Sequence, residues 1–167
     1  DNTMPGGHWP EGWSYGVGVY DAYAMATAAL VDATGDDTYK QFQWLENNIE
    51  LKLAALSPDG NYFYDDGLWS LNRHGVATIK DMYTVGFLYG WNSTKGQRIQ
   101  RYIQNAPSAA SVSEWRSFLY YESNIAAIDD TNIASSYHAV GSGLITMRDE
   151  RNNSDATWGS LDRKSVE

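Results

Sequence analysis

The stretch Ser14-Tyr15-Gly16-Val17-Gly18-Val19-Tyr20-Asp21-Ala22-Tyr23-Ala24-Met25-Ala26-Thr27-Ala28-Ala29-Leu30-Val31-Asp32-Ala33 decides the fold. Its apolar residues recur at helical rather than strand spacing. Tyr15, Val19 and Tyr23 share one face, and Tyr20, Ala24 and Val31 lie on the next. Ser14 is suited to cap the first turn, and Gly35 follows as a stop. The segment is apolar over most of its circumference, which predicts burial on several sides.

Working outward, Asp36 or Asp37 is placed to cap a second helix ending near Leu56, with Phe42, Leu45, Ile49 and Leu53 as its apolar stripe. Ser57-Pro58-Asp59-Gly60 is a strong break. The loop after it, Asn61 to Leu71, is long and aromatic for a mere connection. A third helix is predicted from His74 to Tyr89. A fourth starts at Ser93, with Ile99, Tyr102 and Ile103 facing inward and Pro107 ending it. Ser111-Val112-Ser113-Glu114 forms a capping box for a fifth, which carries Trp115, Phe118 and Leu119.

Beyond Asn124 the pattern changes. Residues 133–138 and 143–150 read as short strands around Val140-Gly141-Ser142-Gly143, and a third strand starts near Ala156. The expected class is mainly α: antiparallel helical hairpins over 1–124, then the first strands of an antiparallel β domain over 125–167. Two or three strands alone are marginal, so the rest of such a domain is expected outside this chain. The chain also opens directly on its richest motif, which reads as a partial reading frame. No repeat recurs at a fixed spacing.

Composition narrows the function. The net charge of −9 repels phosphate backbones and argues against a nucleic-acid partner. It also requires any site for an anionic ligand to gather its cations locally. There is no cysteine, which removes disulfides and thiolate chemistry. No apolar run approaches the roughly 20 residues of a membrane span, so no membrane partner is expected. Aromatic residues make up 14% of the chain, with seven Trp and twelve Tyr, a bias toward rings with polar handles that suits interfaces and sugar-stacking clefts.

Three stretches concentrate chemistry. Gly6-Gly7-His8-Trp9-Pro10-Glu11-Gly12-Trp13-Ser14-Tyr15 offers an acid–base group, a carboxyl three residues on, two indoles and a phenol at a helix start, where free N–H groups favour anions. The competing reading is a helix-entry loop in which Trp9 and Trp13 pack and His8 is a solvated bystander. Asn61-Tyr62-Phe63-Tyr64-Asp65-Asp66-Gly67 offers two phenols, which serve as acids by position alone but need nearby positive charge to serve as bases. Ser136-Tyr137-His138 with Ala139-Val140-Gly141-Ser142-Gly143 sets a histidine at a strand end before a glycine turn. The three histidines are too scattered to form a metal site by spacing.

The first stretch, Gly-Gly-x-Trp-x-Glu-Gly-x-x-Tyr, resembles the catalytic loop of the heparinase II/III-like and related alginate lyases. The aromatic loop after Asp59-Gly60 looks like their tyrosine-bearing loop. Tyr137-His138-x-Val140-Gly141-x-Gly143-Leu144-Ile145-Thr146-Met147-Arg148 looks like the start of their β-sandwich. The resemblance implies part of an α/α-toroid followed by antiparallel sheets, and cleavage of uronate-containing glycans by β-elimination. It implies catalytic roles for His8, Glu11, Tyr62 or Tyr64, and His138. Trp9, Trp13, Tyr15 and Trp69 would bind substrate. Related lyases carry arginine where Glu11 stands, so Glu11 would have to share a proton with the substrate carboxylate.

The family's metal region would lie beyond residue 167, so no cofactor or metal ligand is assigned here. The implied partner is an acidic polysaccharide or oligosaccharide, and the implied location is periplasmic or secreted. Helix faces left without toroid neighbours would favour self-association. Two rivals remain: a glycoside hydrolase pairing Glu11 with Asp65 or Asp66, and a non-catalytic glycan-binding module using Trp9, Trp13 and Trp69.

Overall fold

A computed structural model describes residues 4–64, 74–76, 78–106, 115–151 and 153–161; for Ser14, Tyr64 and residues 74–76 the backbone alone is described. Among these residues the chain is mainly helical with a small antiparallel sheet. The helices are α1 (Trp13–Thr34), α2 (Trp44–Ala55), α3 (Lys80–Tyr89), α4 (Thr94–Asn105) and α5 (Trp115–Tyr120). A two-stranded hairpin, β1 (Tyr62–Tyr64) with β2 (His74–Val76), stands between α2 and α3. Strands β3 (Ser136–Ala139), β4 (Leu144–Arg148) and β5 (Trp158–Leu161) form a three-stranded antiparallel sheet.

The principal helix contacts skip one element: α1 packs on α3, α3 on α5, and α2 on α4, with α3 also touching α4. The helices therefore form two rows, α1–α3–α5 and α2–α4. Their shared core is built from Tyr20, Ala24, Leu45, Ile49, Met82, Val85, Ile99 and Tyr102. Ala139 and Leu144 of the sheet belong to that same core, so the segment after residue 124 packs into the helices rather than around a centre of its own.

Local signals explain several boundaries. Gly35 takes the left-handed conformation (φ 72°) and donates to the Val31 carbonyl, closing α1. The Ser93 side chain accepts from the Gly96 amide and opens α4. Other expectations are corrected. α1 begins at Trp13 with Gly12, not Ser14, at the N-cap. It is buried on one side only. Trp13, Val17, Tyr20, Ala24 and Ala28 face the core, whereas Tyr15, Gly18, Ala22, Ala26 and Ala29 are exposed.

The second helix does not start at Asp36. That side chain accepts from the Thr38 amide at 2.9 Å, a local bond that closes only a short 3-10 turn over Thr38–Gln41. Phe42 is then extended, and α2 starts at Trp44. His74 does not open the third helix. It pairs with Tyr64 in the hairpin, and the helix waits until Lys80. The capping box at 111–114 lies outside the described residues.

One contact set fixes the sheet on the helices. The last carbonyls of an α-helix lack intrahelical donors, and in α2 the sheet supplies them. Arg151 Nη1 donates to Leu53 O at 2.9 Å, Arg148 Nη2 to Ala54 O at 3.5 Å and also to Leu56 O, and Trp158 Nε1 to Ala55 O at 3.0 Å. Two cations at a helix C-terminus also oppose its negative dipole end.

Candidate functional site

The glycine loop is wedged between α2 and the β3–β4 turn. Gly6 and Gly7 both hold positive φ (89° and 76°). A Cβ on Gly6 would sit 2.4 Å from Ala139 Cα, and one on Gly7 2.3 Å from the Asn48 amide nitrogen. Only glycine fits both the backbone and the space. The Gly141 amide donates to Pro5 O at 2.7 Å, Asn48 Nδ2 donates to Gly7 O at 2.9 Å, and the Tyr20 hydroxyl donates to the same carbonyl. His8 and Ser142 share a hydrogen bond of 2.8 Å through Nδ1 and Oγ. His8 is 3% exposed and stands edge-on to Trp13. The ring is thus an internal tie between loop and sheet, not the solvated bystander that the competing reading of the loop expects.

The other residues singled out from the loop divide. Trp13 is buried and stacks on Phe63 with centroids 4.1 Å apart and planes 14° off parallel, so it has no free face for a sugar. It is a core residue, as the packing reading of this loop expects. Trp9 is partly buried, and its Nε1 donates to Glu11 Oε2 at 2.9 Å. Glu11 and Tyr15 are exposed.

The aromatic loop supplies β1. Phe63 faces the core, and Tyr62, on the opposite face of the strand, is 41% exposed. Tyr62 lines a cleft of about 410 Å³ with Asp59, Asp155 and Trp158. It thus looks away from the Phe63–Trp13–His8 side. Tyr64 is described in its backbone only, and Asp65, Asp66 and Trp69 lie outside the described residues. His138 pairs with Ile145 on the exposed face of β3, whereas Ala139 next to it turns inward against Gly6. The loop and the β3–β4 turn are therefore brought together, but His8, Tyr62 and His138 face three different ways.

A further cleft, of about 700 Å³, lies beside the glycine loop, lined by residues that the sequence does not single out as a site. Tyr23 of α1, Phe42 and Trp44 form its aromatic wall, with Gln41, Gln43 and Asn47 adding amides. Trp44 Nε1 donates to the Tyr20 hydroxyl at 3.2 Å, and Tyr20 in turn holds Gly7. Burial pushes the Tyr20 phenol well above its ordinary range, so it stays a neutral donor. Alternation in Gln41-Phe42-Gln43-Trp44 was the available signal, hidden because Phe42 also fits a helical stripe. At 59% exposure Phe42 belongs to the cleft, not the core. Among the described residues no charged side chain lines this cleft. Flat rings and amides suit the apolar face and hydroxyls of a sugar.

Among the described residues no cluster of His, Asp and Glu is arranged to hold a metal ion, and no helix is long and apolar enough to cross a membrane. No protein-family model, curated protein or solved structure matches this chain.

Proposed function

We propose that this chain is part of a lyase-like protein that cleaves uronate-containing glycans by β-elimination, with its two helix rows forming an arc of an α/α-toroid. The observation that carries this reading is convergence. The stretches 6–15 and 137–148, which carry the resemblance to uronate lyases, are far apart in the chain. They meet through Gly6 on Ala139, Gly141 on Pro5 and His8 on Ser142. The third stretch joins them through the Phe63–Trp13 stack. The packing of helices i and i+2 in each row also suits a toroid, in which alternate helices line the same layer.

In the proposed reaction a base removes the C5 proton, the C4–O4 bond breaks as the C4–C5 double bond forms, and an acid returns a proton to O4. Exposed Tyr62, in its own cleft, is placed to be that acid. Buried His8 acts as a positioning residue that locks the loop. The substrate is an acidic polysaccharide or oligosaccharide, which puts the protein in the periplasm or outside the cell.

The test is ultraviolet absorbance of the full chain with alginate, heparan sulfate, hyaluronan and polygalacturonate. A rise from the conjugated double bond on one of them, lost in Tyr62→Phe, is expected. A non-catalytic glycan-binding module is the second reading, favoured by the burial of His8 and by the aromatic cleft beside the glycine loop. It predicts binding without turnover, weakened by Trp44→Ala and untouched by Tyr62→Phe.

A further inference from the structure

Seven of the nine described lysines and arginines lie within 4.0 Å of a carboxylate: Lys40, Lys52, Lys80, Lys95, Arg98, Arg101 and Arg116. The two that do not are Arg148 and Arg151. The chain has 21 acidic against 12 basic residues, so carboxylates are not scarce. Two neighbouring guanidiniums without one, in a chain of net charge −9, need a reason.

Part of the reason is structural, because both cap α2. Backbone carbonyls are neutral acceptors, however, and the one carboxylate whose charge reaches both arginines, Asp130, is shared with Arg101. The Nε–H of each arginine is buried with no hydrogen-bond partner. The crowding has a cost: burial first, and then the charge of Arg148, push the Arg151 guanidinium down to about 10, against the opposing charge of Asp130. An anion beside the pair would relieve it.

Both arginines line a cleft of about 370 Å³ between the Ser57–Asp59 turn, α4 and the β4–β5 loop. The carboxylates of that cleft are already engaged. Asp130 accepts from Asn105 at 3.2 Å and pairs with Arg101, and Asp59 accepts from Ser57 at 2.6 Å and Asn61 at 2.8 Å. This cleft adjoins the one lined by Tyr62 and Trp158, with Ser57, Pro58, Asp59 and Ser154 bordering both. A cationic end thus continues into an aromatic wall.

We infer that this joined cleft binds an acidic sugar, its carboxylate held by Arg148 and Arg151 and its ring against Trp158 and Tyr62. Planar guanidiniums match a carboxylate. That the sugar is a uronate of the substrate rests on the proposed function; that the cleft takes a carboxylate-bearing ring does not. In the lyase reading it would supply the carboxylate neutralisation that β-elimination requires, next to the exposed phenol.

The test uses the full chain and free glucuronate, which has no glycosidic bond to cleave, so the result is independent of turnover. The reporter is the Trp158 indole N–H signal in the NMR spectrum. Glucuronate is expected to shift it and glucose is not. Arg151→Gln should weaken binding by roughly tenfold or more. Because Arg151 also holds backbone, Ser154→Glu is the second variant: the site is exposed, and the added anion faces the arginines. It should abolish the shift while the fold is retained. An equal response to glucose, no response to glucuronate, or unchanged binding in Ser154→Glu would overturn the inference, whatever the absorbance assay shows.

Discussion

Lys52 and Asp81 lie wholly inside the core, Nζ to Oδ2 at 2.5 Å, with both side chains at 0% exposure. Burial pulls the Lys52 ammonium below its ordinary range, and Asp81 opposes that pull. The ammonium also stands 5.5 Å from the centroid of the buried Tyr102 ring. Such a pair contributes little net stability but is costly to break, because the survivor is left charged and dry. Lys52→Met should therefore lose about 3–5 kcal/mol in chemical denaturation, whereas Lys52→Met with Asp81→Leu should recover most of it. A double variant as unstable as the single one would show that the ions are needed for more than each other. The sequence shows an ordinary amphipathic lysine at position 52. Only the meeting of α2 with α3 shows that it points into the core.

At the scale of elements, α2 depends on residues about ninety positions away. Arg148, Arg151 and Trp158 satisfy four successive carbonyls at its C-terminus. Arg148→Ala should cost about 2–3 kcal/mol, the range for losing hydrogen bonds to a charged group. Hydrogen exchange should speed up in the last turn of α2 and in β4 but not in α4, and Arg148→Lys should restore only part of the loss because an ammonium lacks the planar fork. Elements whose ends are set locally were legible in the chain, as Gly35 and Ser93 were. The hairpin was not. His74 joins a strand because Tyr64, ten residues back, pairs with it, and helical spacing says nothing of a partner outside its own window.

Across the molecule, several large apolar side chains of α3 and α5 stand exposed. Phe118 is 89% exposed, Leu119 57%, Trp115 51% and Phe87 42%, all on α3 and α5. Exposed apolar surface of this kind favours association. Sedimentation should reveal concentration-dependent self-association, reduced by Phe118→Glu; a clean monomer at high concentration would count against it.

The sequence by itself determined the mainly helical class, the core faces of α2 and α4, the late strands and the glycines of the first loop. These follow from periodicity and backbone chemistry that act within a few residues. Only the tertiary structure decided that Trp13 packs in the core, that Phe42 lines a cleft, that His8 is tied to Ser142, and that two arginines stand together with no described carboxylate within 4.0 Å. Each of those outcomes depends on what lies across a contact, and contact partners far apart in the chain leave no local trace.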